Sequence, residues 1–215
     1  MAATLRQLLA HKQQPGLEQA TRMALSDRDV MDQILAGAVS KDDVYRYNCF
    51  QVLYRLSEQQ PETLYPEWDY FVGLLDSDNA YHRSIGAQLL ANLTEADVED
   101  RFEGIFDRCF ALLDDDKIVP ARQFAQHVGQ IARAKPHLRA RITERLLAVD
   151  ETHHTESRKD LLKGDVITAF GEFFADSPDQ ERILDFVEQQ LTCSSPKTRQ
   201  EARAFLKRHS GGGEK

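Results

Sequence analysis

Apolar residues recur along this chain at spacings of three and four, which places them on one face of a helix. The clearest runs are Leu64, Trp68, Phe71 and Leu75, then Val98, Phe102, Ile105, Cys109 and Leu112, with shorter runs at Ile85, Leu89 and Leu93 and at Leu138, Ile142 and Leu146. The alternation of apolar and polar residues that indicates strands is nearly absent, as are Asn-Gly and Asp-Gly hairpin turns. The pattern therefore predicts an all-α protein.

Short polar segments interrupt the helical pattern at regular intervals. They lie at residues 40–43, 76–79, 114–117, 151–156 and 194–196. Pro61, Pro136 and Pro178 stand near predicted helix starts, where proline is tolerated. We therefore expect helices of about 12–20 residues joined by short turns into helical hairpins.

The second helices of these hairpins share one pattern. Each has a basic residue near its start, which we call the reference residue: Arg46, Arg83, Arg122, Lys163 and Arg199, at separations of 37, 39, 41 and 36. The residue three positions further on is small or medium-sized, those six and seven further on are mostly apolar, and an acidic residue often precedes the reference residue in the turn. A period of this length indicates a helical repeat.

With this period, and with the order of turn Asp, Arg, small residue and Leu-type residues, the sequence resembles the HEAT/armadillo superfamily of helical repeats. The best copies are residues 74–93 and 112–132. The resemblance covers residues 26–209 and implies a right-handed α-solenoid of about five helical hairpins, with the second helices lining a concave surface. We expect residues 1–25 to form an N-terminal capping helix or half-repeat and residues 210–215 to form a flexible tail.

Composition narrows the class of protein further. An apolar content of 41% and a net charge of −8 over 215 residues are atypical of a disordered chain. No apolar run is long enough for a membrane span. The cysteines at positions 49, 109 and 193 are too few and too far apart for a disulfide framework or a paired zinc motif, so we expect reduced thiols and a cytoplasmic location.

The net charge divides unevenly between the predicted layers, because the second helices sum to +8 and the remainder to −16. This leaves two interpretations: a basic concave groove for an acidic partner, or cations that pair with turn Asp residues of neighbouring repeats. A helical wheel puts the residues one, five and eight positions after the reference residue on the exposed groove face. The candidate binding residues are Arg46, Tyr47, Gln51, Tyr54, Arg83, Gln88, Arg122, Gln123, His127, Gln130, Arg199, Arg203 and Lys207.

The sequence contains no phosphate-binding glycine loop, no HExxH and no GxSxG. We expect no cofactor and no metal site, and we expect His153 and His154 to lie in a solvated loop. These features favour a non-catalytic scaffold or adaptor that binds a protein or peptide through the concave surface. The partner's identity and the oligomeric state stay open.

Two alternatives remain at this stage. One is a nucleic-acid-binding protein, including a HEAT-like DNA glycosylase of the alkylation-repair kind, which the resemblance associates with a Trp, an Asp and an Arg in a basic groove. Trp68 and Asp69 fall on a first helix, which is predicted to face away from that groove, and Trp68 fits the apolar core. The other is a subunit that binds a basic partner through the acidic first-helix region around residues 94–116.

Overall fold

The computed structural model describes residues 4–10 and 14–209, and the statements that follow concern these residues. They are helical almost throughout and contain no β-strand, which confirms the all-α prediction. The tail expected at residues 210–215 lies outside the described residues. The chain divides between Glu99 and Asp100 into two compact units, each of which is described by itself.

Unit 1 comprises residues 1–99, and its described part begins with two helices. Its elements are α1 (Leu5–Leu8), α2 (Gln14–Ser26), α3 (Arg28–Gly37), α4 (Asp43–Gln59), α5 (Pro61–Leu64), a 3-10 segment (Tyr65–Glu67), α6 (Trp68–Leu74) and α7 (Ala80–Leu93). Helix α4 packs against α2, α3 and α7, and α7 packs against α5 and α6 as well. The unit thus holds two repeats, α3 with α4 and α5–α6 with α7, behind the N-terminal helices.

Unit 2 comprises the residues from 100 onward and holds three further repeats within its described part. Its helices are α8 (Arg101–Ala111), α9 (Ile118–Ala134), α10 (Arg139–Leu147), α11 (Glu156–Phe170), α12 (Gln180–Gln189) and α13 (Pro196–His209). Short 3-10 segments adjoin several of them, at Leu112–Asp114, Pro136–Leu138, Ala148–Glu151, Phe174–Asp176 and Gln190–Thr192. The second helix α11 packs between α9 and α13. Over the described residues, the five predicted hairpins are therefore present.

Polar side chains in the turns cap the N-termini of several helices. Asp27 caps α3 by accepting from the backbone N–H groups of Asp29 and Val30, and Asp42 caps α4 in the same way. Asn79 caps α7 by accepting from the N–H of Tyr81 at 2.9 Å. These side chains satisfy N–H groups that have no partner within the helix, so the turn Asp and Asn residues have a local structural role.

The core follows the predicted apolar stripes. Trp68, Phe71 and Phe102 are fully buried, and the small residue three positions after each reference residue is buried in every repeat. Gly86 shows why that residue is small: a Cβ there would lie 2.7 Å from the carbonyl oxygen of Phe71 on the first helix of its repeat. Close contact between the two helices of a hairpin therefore selects the small residue.

No helix in the described residues combines the length and the apolar character that crossing a membrane requires.

Candidate binding surface

Three of the five reference residues donate a hydrogen bond to a backbone carbonyl oxygen in the turn before their own helix. Arg46 Nη1 donates to the carbonyl oxygen of Ser40 at 3.0 Å, and Arg83 Nη1 donates to that of Ser77 at 2.6 Å. Arg199 Nη1 donates to the carbonyl oxygen of Cys193 at 2.6 Å. In all three the acceptor lies six residues before the arginine, so the recurrence of this residue in the sequence reflects a recurring turn contact.

The other two reference residues form ion pairs. Arg122 forms a bidentate ion pair with Asp165 of the next second helix, with Nε–Oδ2 at 2.6 Å and Nη2–Oδ1 at 3.1 Å. Hydrogen bonding to Asp165 raises the pKa of Arg122. Gln126 Nε2 also donates to Asp165 Oδ1, at 2.9 Å. Lys163 Nζ lies 2.6 Å from Asp150 Oδ1 in the turn before its helix.

Many of these polar contacts connect successive repeats. The pairs Gln126–Asp165, Arg133–Glu172 and Arg28–Glu67 each join residues 39 apart, which is one repeat length. Arg141 Nη2 likewise donates to Asp107 at 2.8 Å, 34 residues away. Two cations of the second helix α9, Arg122 and Arg133, therefore pair with carboxylates of the next repeat, whereas Arg28 and Arg141 lie on first helices.

The predicted groove face is exposed only in part. Tyr47, Arg203 and Lys207 are exposed, whereas Gln88 and His127 are buried, so the expected exposure of these last two is wrong. Gln88 Nε2 donates to the carbonyl oxygen of Ser84 at 3.0 Å, and His127 Nδ1 lies 2.7 Å from that of Gln123. The other eight candidates are half-buried: Arg46, Gln51, Tyr54, Arg83, Arg122, Gln123, Gln130 and Arg199.

Helix α7 departs most from the predicted exposure. Its residues from Ser84 to Leu93 are all buried, because α4 packs on one side of it and α5 and α6 pack on another. Gly164 of α11 was also expected on the groove face, but a Cβ there would lie 2.7 Å from Thr198 Oγ1 of α13. Contacts with the neighbouring second helices cover positions that a single-helix wheel leaves open.

Exposed apolar side chains lie at the starts of α4 and α7, and we call Val44, Tyr47 and Tyr81 the tyrosine surface. Their exposed fractions are 40%, 44% and 58%. The guanidinium of Arg46 lies 5.0 Å from the ring centre of Tyr81 and so connects the two helices. Sequence reasoning found Tyr47 but missed Val44 and Tyr81, which precede their reference residues. The available signal was a large apolar residue outside the apolar stripe.

Of the two adjacent histidines, which the sequence placed in a solvated loop, only His153 is exposed. His153 is exposed, and its N–H and Nδ1 lie 2.7 Å and 2.6 Å from Asp114 Oδ1. His154 is buried, contrary to expectation, with an exposed fraction of 4%. Its Nε2 lies 3.2 Å from the carbonyl oxygen of Leu113, 41 residues away. Burial, with a further contribution from His153, lowers the pKa of His154.

The Trp68–Asp69 pair, which the glycosylase alternative singled out, does not form an exposed site. Trp68 is buried in α6, so it belongs to the core as predicted, and only Asp69 of that pair is exposed. Among the described residues, no three His, Cys, Asp or Glu side chains converge as metal ligands.

A cavity of about 360 Å³ lies at the carboxyl ends of α8 and α10, lined by both apolar and charged residues that include Phe110, Val149 and Arg145.

The hairpins, their period and the contacts between second helices define an armadillo/HEAT-type helical repeat fold. Among solved structures, the chain is similar to a designed armadillo repeat protein, with a TM-score of 0.57 and 14% identity over 94% of this chain and 97% of that one. It is also similar to a structure described as an engineered protein, with a TM-score of 0.59 and 17% identity over 98% of this chain and 100% of that one. At this identity the likeness establishes the fold alone. No family model matches the sequence, and no curated protein matches it significantly.

Proposed function

We propose that this protein is a non-catalytic scaffold or adaptor that binds a segment of another protein through exposed parts of its second helices. The observation that carries the proposal is the tyrosine surface. Three of the six large apolar side chains that are exposed among the described residues lie at the starts of α4 and α7, two helices that pack against each other. Exposed apolar patches with polar surroundings are typical of interaction sites.

The chemistry of this surface suits a peptide segment. Tyrosine offers a large apolar ring at low entropic cost together with a hydroxyl group, and it is enriched among residues that dominate binding energy. Gln51 and Tyr54 continue the same face along α4 and are half-exposed. Their amide and hydroxyl groups can exchange hydrogen bonds with an extended backbone.

The proposal includes the absence of catalysis and of a cofactor, and a cytoplasmic location. In its support, the buried histidines His127 and His154 are engaged with backbone carbonyl oxygens. Cys49 and Cys109 are buried free thiols, and burial raises the pKa of each to about 12, far from the value of a reactive cysteine. The nucleic-acid alternative has less support, because Arg122 and Lys163 of the basic layer contact carboxylates.

A peptide-display selection on the immobilised protein tests the proposal. Peptides enriched on the wild-type protein are measured against the double variant Tyr47→Ala/Tyr81→Ala. Loss of a dominant contact of about 2 kcal/mol should weaken their binding more than tenfold. The matched control is Leu25→Ala/Val98→Ala, which truncates two other exposed apolar side chains. Equal affinity for the tyrosine variant and the wild type, or no enrichment at all, would contradict the proposal.

A further inference from the structure

Arg46 connects the turn before α4, the first residue of α4 and the start of α7. Its Nη1 donates to the carbonyl oxygen of Ser40 at 3.0 Å, and its Nη2 donates to Asp43 Oδ1 at 2.7 Å. Its guanidinium lies over the ring of Tyr81, 5.0 Å from the ring centre, which is within the range of a cation–π contact. The Arg46 side chain is 12% exposed. Its charge is therefore satisfied within the protein, although the sequence placed Arg46 among the residues that bind a partner.

The side chains of the tyrosine surface remain exposed beside Arg46. Tyr81 is 58% exposed although Arg46 lies over its ring, and Tyr47, the residue after Arg46, is 44% exposed. Val44 is three residues before Tyr47 and so shares a face of α4 with it. Two phenol rings and one aliphatic side chain are thus exposed at the helix starts that Arg46 connects.

The charged groups of these two helix starts are nearly balanced. Residues 40–46 and 76–83 contain three cations and four carboxylates: Lys41, Arg46, Arg83, Asp42, Asp43, Asp76 and Asp78. Asp42 caps α4 and lies 3.8 Å from Arg6 of α1, which adds a fourth cation, and Asp43 binds Arg46. Burial, with a contribution from Arg46, lowers the pKa of His82, so His82 adds no charge at neutral pH. The tyrosine surface therefore lacks a net charge that would select a partner of either sign.

A charged side chain of a partner is disfavoured at Tyr81 for two reasons. Arg46 already lies over the ring, so a second cation on the same ring would be repelled by the first. The N-termini of α4 and α7 are also the positive ends of two helix dipoles, which oppose a further cation. A carboxylate would meet the four carboxylates of the two helix starts. An uncharged apolar side chain meets neither kind of repulsion.

We infer that Arg46 determines the specificity of the tyrosine surface, which binds a segment of a partner protein through an aromatic side chain, the anchor, and disfavours Lys or Arg in its place. This inference rests on the proposed function and names the chemistry of the partner. An aromatic ring against Tyr47 and Tyr81 gains the burial and ring contacts that make aromatic side chains strong interface anchors. Because no ion pair contributes to the contact, we expect the affinity to depend little on salt.

A phage-displayed library of random peptides of about 12 residues tests the chemistry of the partner. The library is selected on the immobilised full chain, and peptides that also bind Tyr47→Ala/Tyr81→Ala are removed. Among the remaining peptides we expect Phe, Tyr and Trp to be enriched about threefold or more and Lys and Arg to be depleted. Enrichment of charged residues instead of aromatic ones would overturn the inference and leave the proposed function intact. Failure to enrich any peptide would overturn both.

Variants of Arg46 test its role in specificity. A selected peptide is compared with its derivative in which Arg replaces the anchor, and fluorescence anisotropy gives the ratio of the two affinities. In Arg46→Met, which keeps a long apolar stem without the charge, the preference for the aromatic peptide should fall about tenfold. Arg46→Lys keeps the charge and should keep most of the preference. An unchanged ratio in Arg46→Met would overturn the inference, because a purely structural role of Arg46 would weaken both peptides alike.

Arg199→Met is the matched control. Arg199 makes the same kind of turn contact as Arg46, with the carbonyl oxygen of Cys193, but it lies in unit 2. This variant should leave both affinities unchanged, and far-UV circular dichroism checks that all variants fold. The ratio compares two peptides on one protein preparation, so an unfolded fraction does not alter it. The same change of ratio in Arg199→Met as in Arg46→Met would overturn the assignment to Arg46.

Salt dependence and self-association distinguish other modes of binding. The affinity for the aromatic peptide should change by less than about twofold between about 0.05 and 0.5 M NaCl, whereas a fall of about tenfold would indicate a charged contact and overturn the inference. A dimer that is seen by sedimentation and lost in Tyr47→Ala/Tyr81→Ala would assign the surface to a second copy of this chain and overturn the proposed partner. A monomer that prefers the aromatic peptide supports it.

Discussion

Replacement of Asp165 by alanine removes the acceptor on which the contact between α9 and α11 depends. The Asp165 side chain is 3% exposed, and it accepts two hydrogen bonds from Arg122 and one from Gln126. In Asp165→Ala the Arg122 guanidinium, whose side chain is 28% exposed, loses its carboxylate. Breaking a fully buried ion pair costs about 3–5 kcal/mol. Since Arg122 reaches some water, we expect a loss of about 2–3 kcal/mol in the free energy of unfolding.

Two further variants separate charge from shape. Asp165→Asn keeps a side chain of the same shape and one acceptor oxygen, so it should cost about 1–2 kcal/mol. The double variant Arg122→Met/Asp165→Leu removes both charges together and should be more stable than Asp165→Ala, because no charge is left without its partner. Comparing the double variant with its two single variants gives the coupling energy of the pair.

Urea unfolding followed by far-UV circular dichroism measures these differences. The control is Asp185→Ala on the exposed face of α12, which should change the free energy of unfolding by less than about 0.5 kcal/mol. The single tryptophan, Trp68, lies in unit 1, so its fluorescence reports on that unit separately. The reasoning would be refuted if Asp165→Ala matched the wild type, or if the double variant were less stable than Asp165→Ala.

Two predictions concern packing and pH. Gly86→Ala should lower the free energy of unfolding by about 1–3 kcal/mol, because the new Cβ meets the backbone of α6. Gly104→Ala should raise it by about 0.5–1 kcal/mol, because no atom outside the nearby backbone of α8 lies within 4 Å of that Cβ. Urea unfolding of the two variants checks this, and the reverse order would contradict it. The lowered pKa of His154 means that the unfolded chain binds a proton there more readily than the folded one, so stability should fall as pH drops from 7 through the ordinary value of 6.5 and the loss should level off below the folded pKa. Melting temperatures between pH 5 and 7 should change less with pH in His154→Gln than in the wild type, and an unchanged slope would contradict this.

The repeat architecture was predictable because its signals are local or periodic. Spacings of three and four define each apolar stripe, and the polar turns carry the capping residues Asp42 and Asn79. The reference residue recurs once per repeat because it has a structural role. Arg46, Arg83 and Arg199 each donate a hydrogen bond to the carbonyl oxygen six residues earlier, in the preceding turn. These features were sufficient to predict the hairpins and the core residues without knowledge of the contacts between repeats.

The candidate surface was less predictable because it depends on contacts between repeats. A wheel drawn for one helix assigns it one buried face, but a second helix also touches a neighbouring second helix of its unit. Gln88 is buried on α7, against which α4 packs, and the partner of Arg122 proved to be Asp165 of the next second helix. The position of Tyr81 off the apolar stripe was a sign of its exposure, but its contact with Arg46 of α4 could be read only from the structure.

Mapping the binding site of a selected peptide by backbone amide chemical shifts is the most direct test of the scaffold proposal. The 24.5 kDa chain is small enough for such spectra, and the peptide is one enriched on the wild-type protein. We predict that the largest shift changes fall at Val44, Tyr47 and Tyr81 and continue along α4 to Tyr54. Shift changes confined to the first helices or to unit 2, with none at the starts of α4 and α7, would contradict the account.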